Sequence, residues 1–220
     1  MNRTVALVLF CVAALPVLCQ NTASSHEAAA AIWIPQPLLK FDDSSPSATV
    51  KKEMIASLKV ADVTIELEQD TKLEAMQQRF GGTIGAEGDA SESLHWLCLR
   101  GSDEAGPWVL WLESGEIDGP YVGGFEWLRV PGFAQFDERC AALPDTSRVE
   151  LPINLRLGIS ESRVVHLLGH PTYRKGRVLA YEHEHDEIIR GEPFISDNGV
   201  YVTIRNGVVW AIQVWKTTSN

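Results

Sequence analysis

The chain has 220 residues, a formal net charge of −10 and 45% hydrophobic residues. This length suits one domain of moderate size or two small ones. The acidic balance argues against nucleic acid and anionic lipid surfaces as partners and favours cationic ones. The sequence also lacks a phosphate-binding loop, a dinucleotide fingerprint and an HExxH motif, so three common cofactor and metal chemistries have no sequence support.

The first element in chain order is an expected secretory signal peptide over residues 1–19. Arg3 precedes an apolar run from Val5 to Cys19, and the polar stretch QNTASS follows. That layout is typical of a cleaved signal, because the apolar run is too short to span a bilayer comfortably. We therefore expect an exported protein, periplasmic or secreted, with no transmembrane segment in the mature chain. Residues 20–60 are predicted to be a linker that contains an apolar island, IWIPQPLLKF.

Cys98 and Cys140 are the two cysteines beyond the expected signal peptide. Two cysteines in an oxidising compartment most simply form one disulfide. A catalytic thiol would need a nearby basic group, and on a strand His95 would point to the opposite face from Cys98. The pattern predicts a Cys98–Cys140 disulfide.

The rest of the chain reads as two copies of one unit, residues 61–145 and residues 146–220. Each copy has an extended lead-in, a helical pattern and a run of alternating strands. One such unit buries little apolar surface alone, so pairing two is a route to a stable body. The predicted class is α+β: a tandem repeat of one helix plus antiparallel strands, with the helices packed on one face of the sheet.

Each predicted helix has its own start and stop signals. Thr71 is followed three residues later by Glu74, which is a capping-box pattern, and Gly81 closes that helix. In the second copy Ser160 is the predicted N-cap, and Gly169 followed by a proline closes the helix.

Alternation divides the strand residues between two faces of the sheet. Asn206-Gly207 predicts a type I′ hairpin turn, because that turn needs two residues with positive φ. The face toward the helices is predicted to hold Val200, Val202, Ile204 and Val209, with Leu110, Leu112 and Ile117 in the first copy. The opposite face is predicted to hold Tyr201, Thr203, Trp210 and Ile212, with Val109 and Trp111 in the first copy. Exposed aromatic groups mark binding surfaces, so Trp111, Tyr201 and Trp210 are the predicted binding residues.

The second copy resembles a known family pattern. Its elements are Leu157-Gly158-Ile159-Ser160, then Leu167-Leu168-Gly169-His170-Pro171-Thr172, an internal Tyr181 and a hairpin turning at Asn206-Gly207. This pattern resembles the SmpA/OmlA (BamE-like) family of outer-membrane lipoproteins, and the β-lactamase inhibitory proteins have a similar fold in tandem. The resemblance implies a non-enzymatic envelope protein that assists assembly or inhibits an enzyme. Its partner would be another protein, possibly cationic or an envelope enzyme.

The stretch EHEHDE raises the alternative of a metal site. His183 and His185 alternate on one strand face and could both reach one zinc ion. The competing interpretation, which we prefer, is a solvated edge strand whose charges discourage aggregation. The sequence predicts no cofactor, no metal site and no enzyme. Two alternatives stay open: an envelope hydrolase acting on glycan or peptide through acids such as Glu113 and Glu116, and a histidine-based metal-binding protein.

Overall fold

The computed structural model describes residues 32–33, 55–89, 93–116, 118–132, 135–189 and 191–219. The expected signal peptide, most of the predicted linker and Ile117 lie outside the described residues. The described elements, in chain order, are β1 (Ile32–Trp33), β2 (Ser57–Val60), β3 (Val63–Glu66), α1 (Leu73–Phe80), β4 (Ile84–Glu87), β5 (Leu94–Asp103), β6 (Gly106–Gly115), β7 (Gly124–Arg129), β8 (Gln135–Phe136), β9 (Ala141–Ala142), β10 (Val149–Glu150), α2 (Glu161–Leu168), β11 (Tyr173–Lys175), β12 (Val178–Ile189), β13 (Glu192–Arg205) and β14 (Val208–Ser219).

One large sheet dominates the described residues. Its order is β11-β12-β13-β14-β7-β6-β5-β4, with every neighbouring pair antiparallel, and β9 pairs with β5 in parallel. A small sheet, β10-β2-β3, and the pair β1-β8 complete the strands. At the centre of the large sheet, β14 lies beside β7.

The predicted tandem α+β class is wrong, because the chain is mostly β with large antiparallel sheets. In the described residues the two α-helices have eight residues each, whereas β12, β13 and β14 have 12, 14 and 12. Gly81 and Gly169 end the helices after about two turns, at φ +83° and +87°. Extended chain conformation, and not helix, thus carries most of the hydrogen bonding.

The predicted helix signals are correct at three of four ends. Ser160 Oγ accepts a hydrogen bond from the Arg163 backbone N–H at 3.3 Å, which is the expected N-cap contact. Gly81 and Gly169 are the observed C-caps. At the start of α1 the prediction is wrong by one residue, since the N-cap is Lys72 without a side-chain cap bond.

One predicted turn and one predicted linker segment can be compared directly with the backbone. Asn206 and Gly207 have φ of +52° and +78°, so the predicted type I′ geometry between β13 and β14 is confirmed. Residues 57–60, assigned to the linker from the sequence, form β2 instead and pair with β3 and β10. Leu58 and Val60 are buried there, which explains why this segment is a strand.

The main core lies on the helix face of the large sheet. Val200, Val202, Ile204 and Val209 belong to it, as predicted, together with Leu110 and Leu112. Helix residues Leu73, Met76, Val164 and Leu168 pack against these strands from the same side. In the described part of the chain, neither helix is long and apolar enough to cross a membrane.

Candidate functional site

The opposite face of the sheet has a core of its own. This second core contains Trp96, Cys98, Val109, Trp111, Leu128, Val130, Cys140 and Ala211, with Leu94, Phe136 and Trp210 packed against it. The segment that carries Phe136 and Cys140 covers this part of the face, which the sequence had suggested would be open. The predicted binding face is therefore divided into a covered half and an open half.

The predicted Cys98–Cys140 disulfide is confirmed, with a Cα–Cα distance of 4.6 Å. Cys98 lies on β5 directly opposite Trp111 of β6. Cys140 comes just before β9, which pairs with β5 at Leu99 and Arg100. The disulfide and β9 together fasten the covering segment to the sheet above Trp111.

Trp111 lies inside this second core and not at the surface. Its side chain is 0% exposed, and its Nε1 is buried without a hydrogen-bond partner. A side chain in this position cannot contact a partner protein without movement of the covering segment. Of the three predicted binding residues, Tyr201 and Trp210 are half-buried and retain some accessible surface.

Trp210 sits at an irregularity in the β13–β14 ladder. Ile204 pairs with Val209 but Thr203 pairs with Ala211, so Trp210 is the extra residue of a β-bulge. The bulge reverses the alternation that follows, which is why Ile212 belongs to the main core and not to the opposite face. The predicted placement of Ile212 is wrong for this reason. Arg205 lies over the Trp210 ring, with its Cζ 3.4 Å from the ring centroid.

Several tryptophans cover glycines on neighbouring strands, which accounts for part of the high tryptophan count. A Cβ on any of these glycines would collide with the indole ring of its neighbour. Such an arrangement fills the gap that a missing side chain leaves in a sheet. The pairs are Trp96 over Gly85, Trp108 over Gly101 and Trp215 over Gly199.

Two carboxyl groups are buried on the same face as Trp111. Glu113 of β6 is 4% exposed and Glu126 of β7 is 0% exposed. Burial, then Glu126, then Asp118 raise the pKa of Glu113 well above its ordinary value. Burial also raises the pKa of Asp118 to about 6, partly offset by the hydrogen bond that its carboxyl accepts from the Gly115 N–H at 2.6 Å. Glu113 and Asp118 have the shifted pKa values of an acid–base site, but the Glu113 side chain is almost completely removed from solvent.

The open half of the face lies on the hairpin formed by β12 and β13. Glu184 of β12 is directly opposite Asp197 of β13, and Asp186 is opposite Ile195. We use the name hairpin face for the following residues, which alternate onto this side: Glu182, Glu184, Asp186, Ile188, Ile195, Asp197 and Tyr201. Ile188 and Ile195 are 69% and 44% exposed, so apolar and acidic groups lie side by side in solvent.

Electrostatic contacts within the hairpin face are mostly repulsive. Burial, followed by the charge of Glu184, raises the pKa of Asp197. Like charges directly opposite each other in a sheet are destabilising. Tyr201 donates a hydrogen bond to Glu182 Oε1 at 2.7 Å, and burial is the largest cause of the raised pKa of that tyrosine, followed by this hydrogen bond.

The two candidate metal ligands lie on the other side of the same strand. The His183 and His185 rings are stacked, with centroids 5.1 Å apart. Strand β11 pairs only with Val178–Ala180, so EHEHDE is at the edge of the described sheet, as predicted. No group of three or more His, Cys, Asp or Glu side chains in the described residues is arranged to hold a metal ion.

Sequence reasoning paired Glu113 with the wrong acid. Glu113 was considered with Glu116, its neighbour across the turn, but Glu116 is exposed and Glu113 faces Glu126 and Asp118. A signal existed at Glu126, where an acid stands between the apolar residues Phe125 and Trp127. An acid in that position is either at an open face or buried with a shifted pKa.

Comparison with known proteins gives no further guidance. No protein-family model matches the chain, and neither a curated protein nor a solved structure matches it significantly. The resemblance to the BamE-like family and to the β-lactamase inhibitory proteins therefore stays a prediction from the motifs alone.

Proposed function

We propose that this chain is an exported, non-enzymatic protein-binding module, and that it binds a cationic partner protein through the hairpin face. The observation that carries the proposal is the direct pairing of Glu184 with Asp197 beside two exposed isoleucines. Repulsion between these acids lowers the stability of the unbound protein, and a basic group placed between them would remove this repulsion.

The shape of the hairpin supports the same proposal. Strands β12 and β13 pair from Val178↔Thr203 to Ile189↔Glu192, whereas β14 pairs with β13 only as far as Ile195. The end of the hairpin thus extends beyond the rest of the described sheet. Apolar side chains near such an end, rimmed by charges, are typical of a protein-binding surface.

Charge and compartment agree with this assignment. The net charge of −10 favours a basic partner and fast, salt-sensitive association. The Cys98–Cys140 disulfide supports export, because stable disulfides are typical of oxidising compartments. The proposed interface includes Tyr201, as predicted from the sequence. Its centre is formed by Ile188 and Ile195 and not by Trp111.

A peptide-binding measurement tests the proposal before the natural partner is known. The probe is a fluorescent peptide of alternating Lys and Val, compared with a matched peptide of alternating Glu and Val, by fluorescence polarisation at low and moderate salt. We expect the full chain to bind only the basic peptide, and to bind it more weakly as salt rises, since the interacting charges are exposed.

Substitutions in the hairpin face separate binding from stability. Asp197→Asn and Ile195→Ser should each weaken binding at least fivefold, while Asp197→Asn should leave the protein as stable as the parent or more so. Glu74→Gln, an exposed acid on α1, is the matched control and should bind as the parent does. Equal binding of the two peptides, or full binding by both hairpin variants, would refute the proposal.

A further inference from the structure

Strand β12 has an outer edge, which is the side that faces away from β13. Strand β11 covers only the beginning of this edge, because its pairing ends at Val178–Ala180. Farther along, β12 continues against β13 as far as Ile189. No strand in the described residues pairs with the outer edge of that part of β12. The larger part of the strand therefore borders no other described strand on its outer side.

Two contacts with the loop before β11 show which backbone groups point toward the outer edge. The Thr172 N–H donates to the Ala180 C=O at 2.8 Å, and the Glu182 N–H donates to Thr172 Oγ1 at 3.1 Å. Because successive residues of a strand direct their backbone groups to opposite edges, every second residue after Glu182 also points outward. These residues are Glu184, Asp186 and Ile188, each with one outward N–H donor and one outward C=O acceptor.

The side chains of the same residues give the edge an acidic and apolar character. Glu184 and Asp186 are exposed on the hairpin face, and Ile188 is 69% exposed beside them. His183 and His185 alternate onto the helix face of the same strand. A strand added at this edge would therefore have its alternate side chains beside two acids and one isoleucine.

A second copy of this chain does not suit the edge. Two copies of β12 paired antiparallel around a twofold axis would place acids of one copy opposite acids of the other, and such pairs are destabilising. Charged side chains on an edge strand prevent this kind of self-pairing. The net charge of −10 adds a general repulsion between copies. A strand of another protein with basic residues at alternate positions meets the opposite situation, because its charges complement Glu184 and Asp186.

We infer that the outer edge of β12 accepts an extended, basic segment of the partner protein as an additional antiparallel strand. The inference rests on the proposed function, since it names how the basic partner binds at the hairpin. Backbone hydrogen bonds to Glu184, Asp186 and Ile188 supply affinity, and the alternating side chains supply specificity. Both present neighbours of β12 are antiparallel to it. In an antiparallel strand the residue opposite Glu184 directs its own N–H and C=O toward that glutamate, and its side chain lies on the hairpin face.

Backbone-methylated peptides test the added strand with the full parent chain. The probe is the fluorescent peptide of alternating Lys and Val, with N-methyl groups on every Lys or, in the control, on every Val. Both forms keep the charges and side chains of the probe. Methylated Lys residues lose the N–H groups that face β12, so this form should bind about tenfold more weakly or worse. Methylated Val residues lose only N–H groups that face solvent, so this form should bind as the unmethylated peptide does.

The three peptides separate failure of the inference from failure of the proposed function. An unmethylated basic peptide that does not bind would refute the proposed function, and the added strand with it. Equal binding of all three peptides would refute the added strand alone and leave a surface that binds through side chains. Equal loss in both methylated forms would also refute it. Loss confined to the Val-methylated form would overturn the antiparallel direction, because in a parallel strand the other set of residues faces the edge.

Two substitutions at one position separate the backbone of β12 from its charge. Asp186→Asn and Asp186→Pro both remove the acid, but only proline removes the outward N–H, and an edge strand tolerates proline at such a position. We expect Asp186→Pro to bind the unmethylated peptide about tenfold more weakly than Asp186→Asn. Equal binding by the two variants would overturn the inference, and if Asp186→Pro fails to fold, the methylated peptides decide with the parent chain. A parent chain that is dimeric in light scattering, and monomeric as Asp186→Pro, would assign the edge to a second copy instead.

Discussion

Replacing Trp111 with alanine tests the division of the sheet face into a covered and an open half. Trp111 is 0% exposed and packs against Cys98, Val109 and Leu128 of the second core. Truncating a buried aromatic side chain to alanine typically costs about 3–5 kcal/mol. Its indole N–H lacks a partner, and removing a buried unsatisfied donor returns about 1 kcal/mol or more. We therefore expect Trp111→Ala to lower the free energy of unfolding by about 3 kcal/mol.

Trp210→Ala is the matched comparison for this prediction. Trp210 is half-buried, and its main defined contact is the guanidinium group of Arg205 above the ring. A cation–π contact at a partly exposed site is worth about 0.5–1 kcal/mol. Adding the partial burial of the ring, we expect Trp210→Ala to cost about 1–2 kcal/mol, clearly less than Trp111→Ala.

Urea unfolding without added oxidant or reductant keeps the disulfide intact and measures the loss of unfolding free energy for both variants. The midpoint should move while the slope stays constant, because the change lies in the folded state. Trp111→Phe keeps a ring and removes the unsatisfied N–H, so it should cost less than half as much as Trp111→Ala. If Trp111→Ala costs no more than Trp210→Ala, then Trp111 is at the surface and the covered half does not exist.

Two further predictions concern covalent and backbone features of the fold. Replacing both Cys98 and Cys140 with alanine opens a loop with a sequence separation of 42 residues and should lower the free energy of unfolding in urea by at most ~4 kcal/mol. Dithiothreitol should have no effect on the stability of this variant. Free thiols in the native parent would contradict the disulfide. Gly207→Val should lower the free energy of unfolding by about 2 kcal/mol, because a β-branched residue is strained at φ +78°. The control, Gly132→Val, should be nearly neutral, because Gly132 has an ordinary φ and no atom lies within 4 Å of a new Cβ. Equal effects of the two substitutions would contradict the type I′ turn.

Features set by a few adjacent residues were predictable from the sequence. The Ser160 cap, the glycine stops of both helices and the Asn206-Gly207 turn each depend on local backbone geometry, and each is observed. The Thr71 cap is the informative failure among them. Its hydroxyl accepts a hydrogen bond from the Glu66 N–H at 3.2 Å, and this contact with the preceding strand draws it away from the helix.

Features that depend on strand register were not predictable. The alternation of apolar residues before Trp210 does not indicate the bulge, so Ile212 was assigned to the wrong face. The closeness of Glu113 and Glu126 arises from the pairing of β6 with β7, which joins residues that are distant along the chain. The fold class failed for a related reason: periodicity indicated where helices and strands lie, but the total length of the paired strands, and not the number of helices, decides the class.

The exposure of Trp111 was wrongly predicted because a sheet face was treated as one surface. The disulfide was predicted correctly, but its geometric consequence was not drawn: Cys98 stands opposite Trp111, so a bond to Cys140 necessarily brings a second segment over the tryptophan. A disulfide that joins a strand to a distant segment is therefore also evidence that the strand face is covered at that point.

The same kind of interaction, two acids on neighbouring strands, has different consequences in the two halves of the sheet. Glu113 and Glu126 are buried, so dissolved salt has little access to them. Glu184 and Asp197 retain access to solvent, so salt or a basic partner can screen them. Because burial raises the pKa of Glu113, stability should fall as pH rises above about 4.3, whereas binding should depend on salt through the second pair. Peptide binding that does not weaken as salt rises would remove the hairpin face as the binding surface.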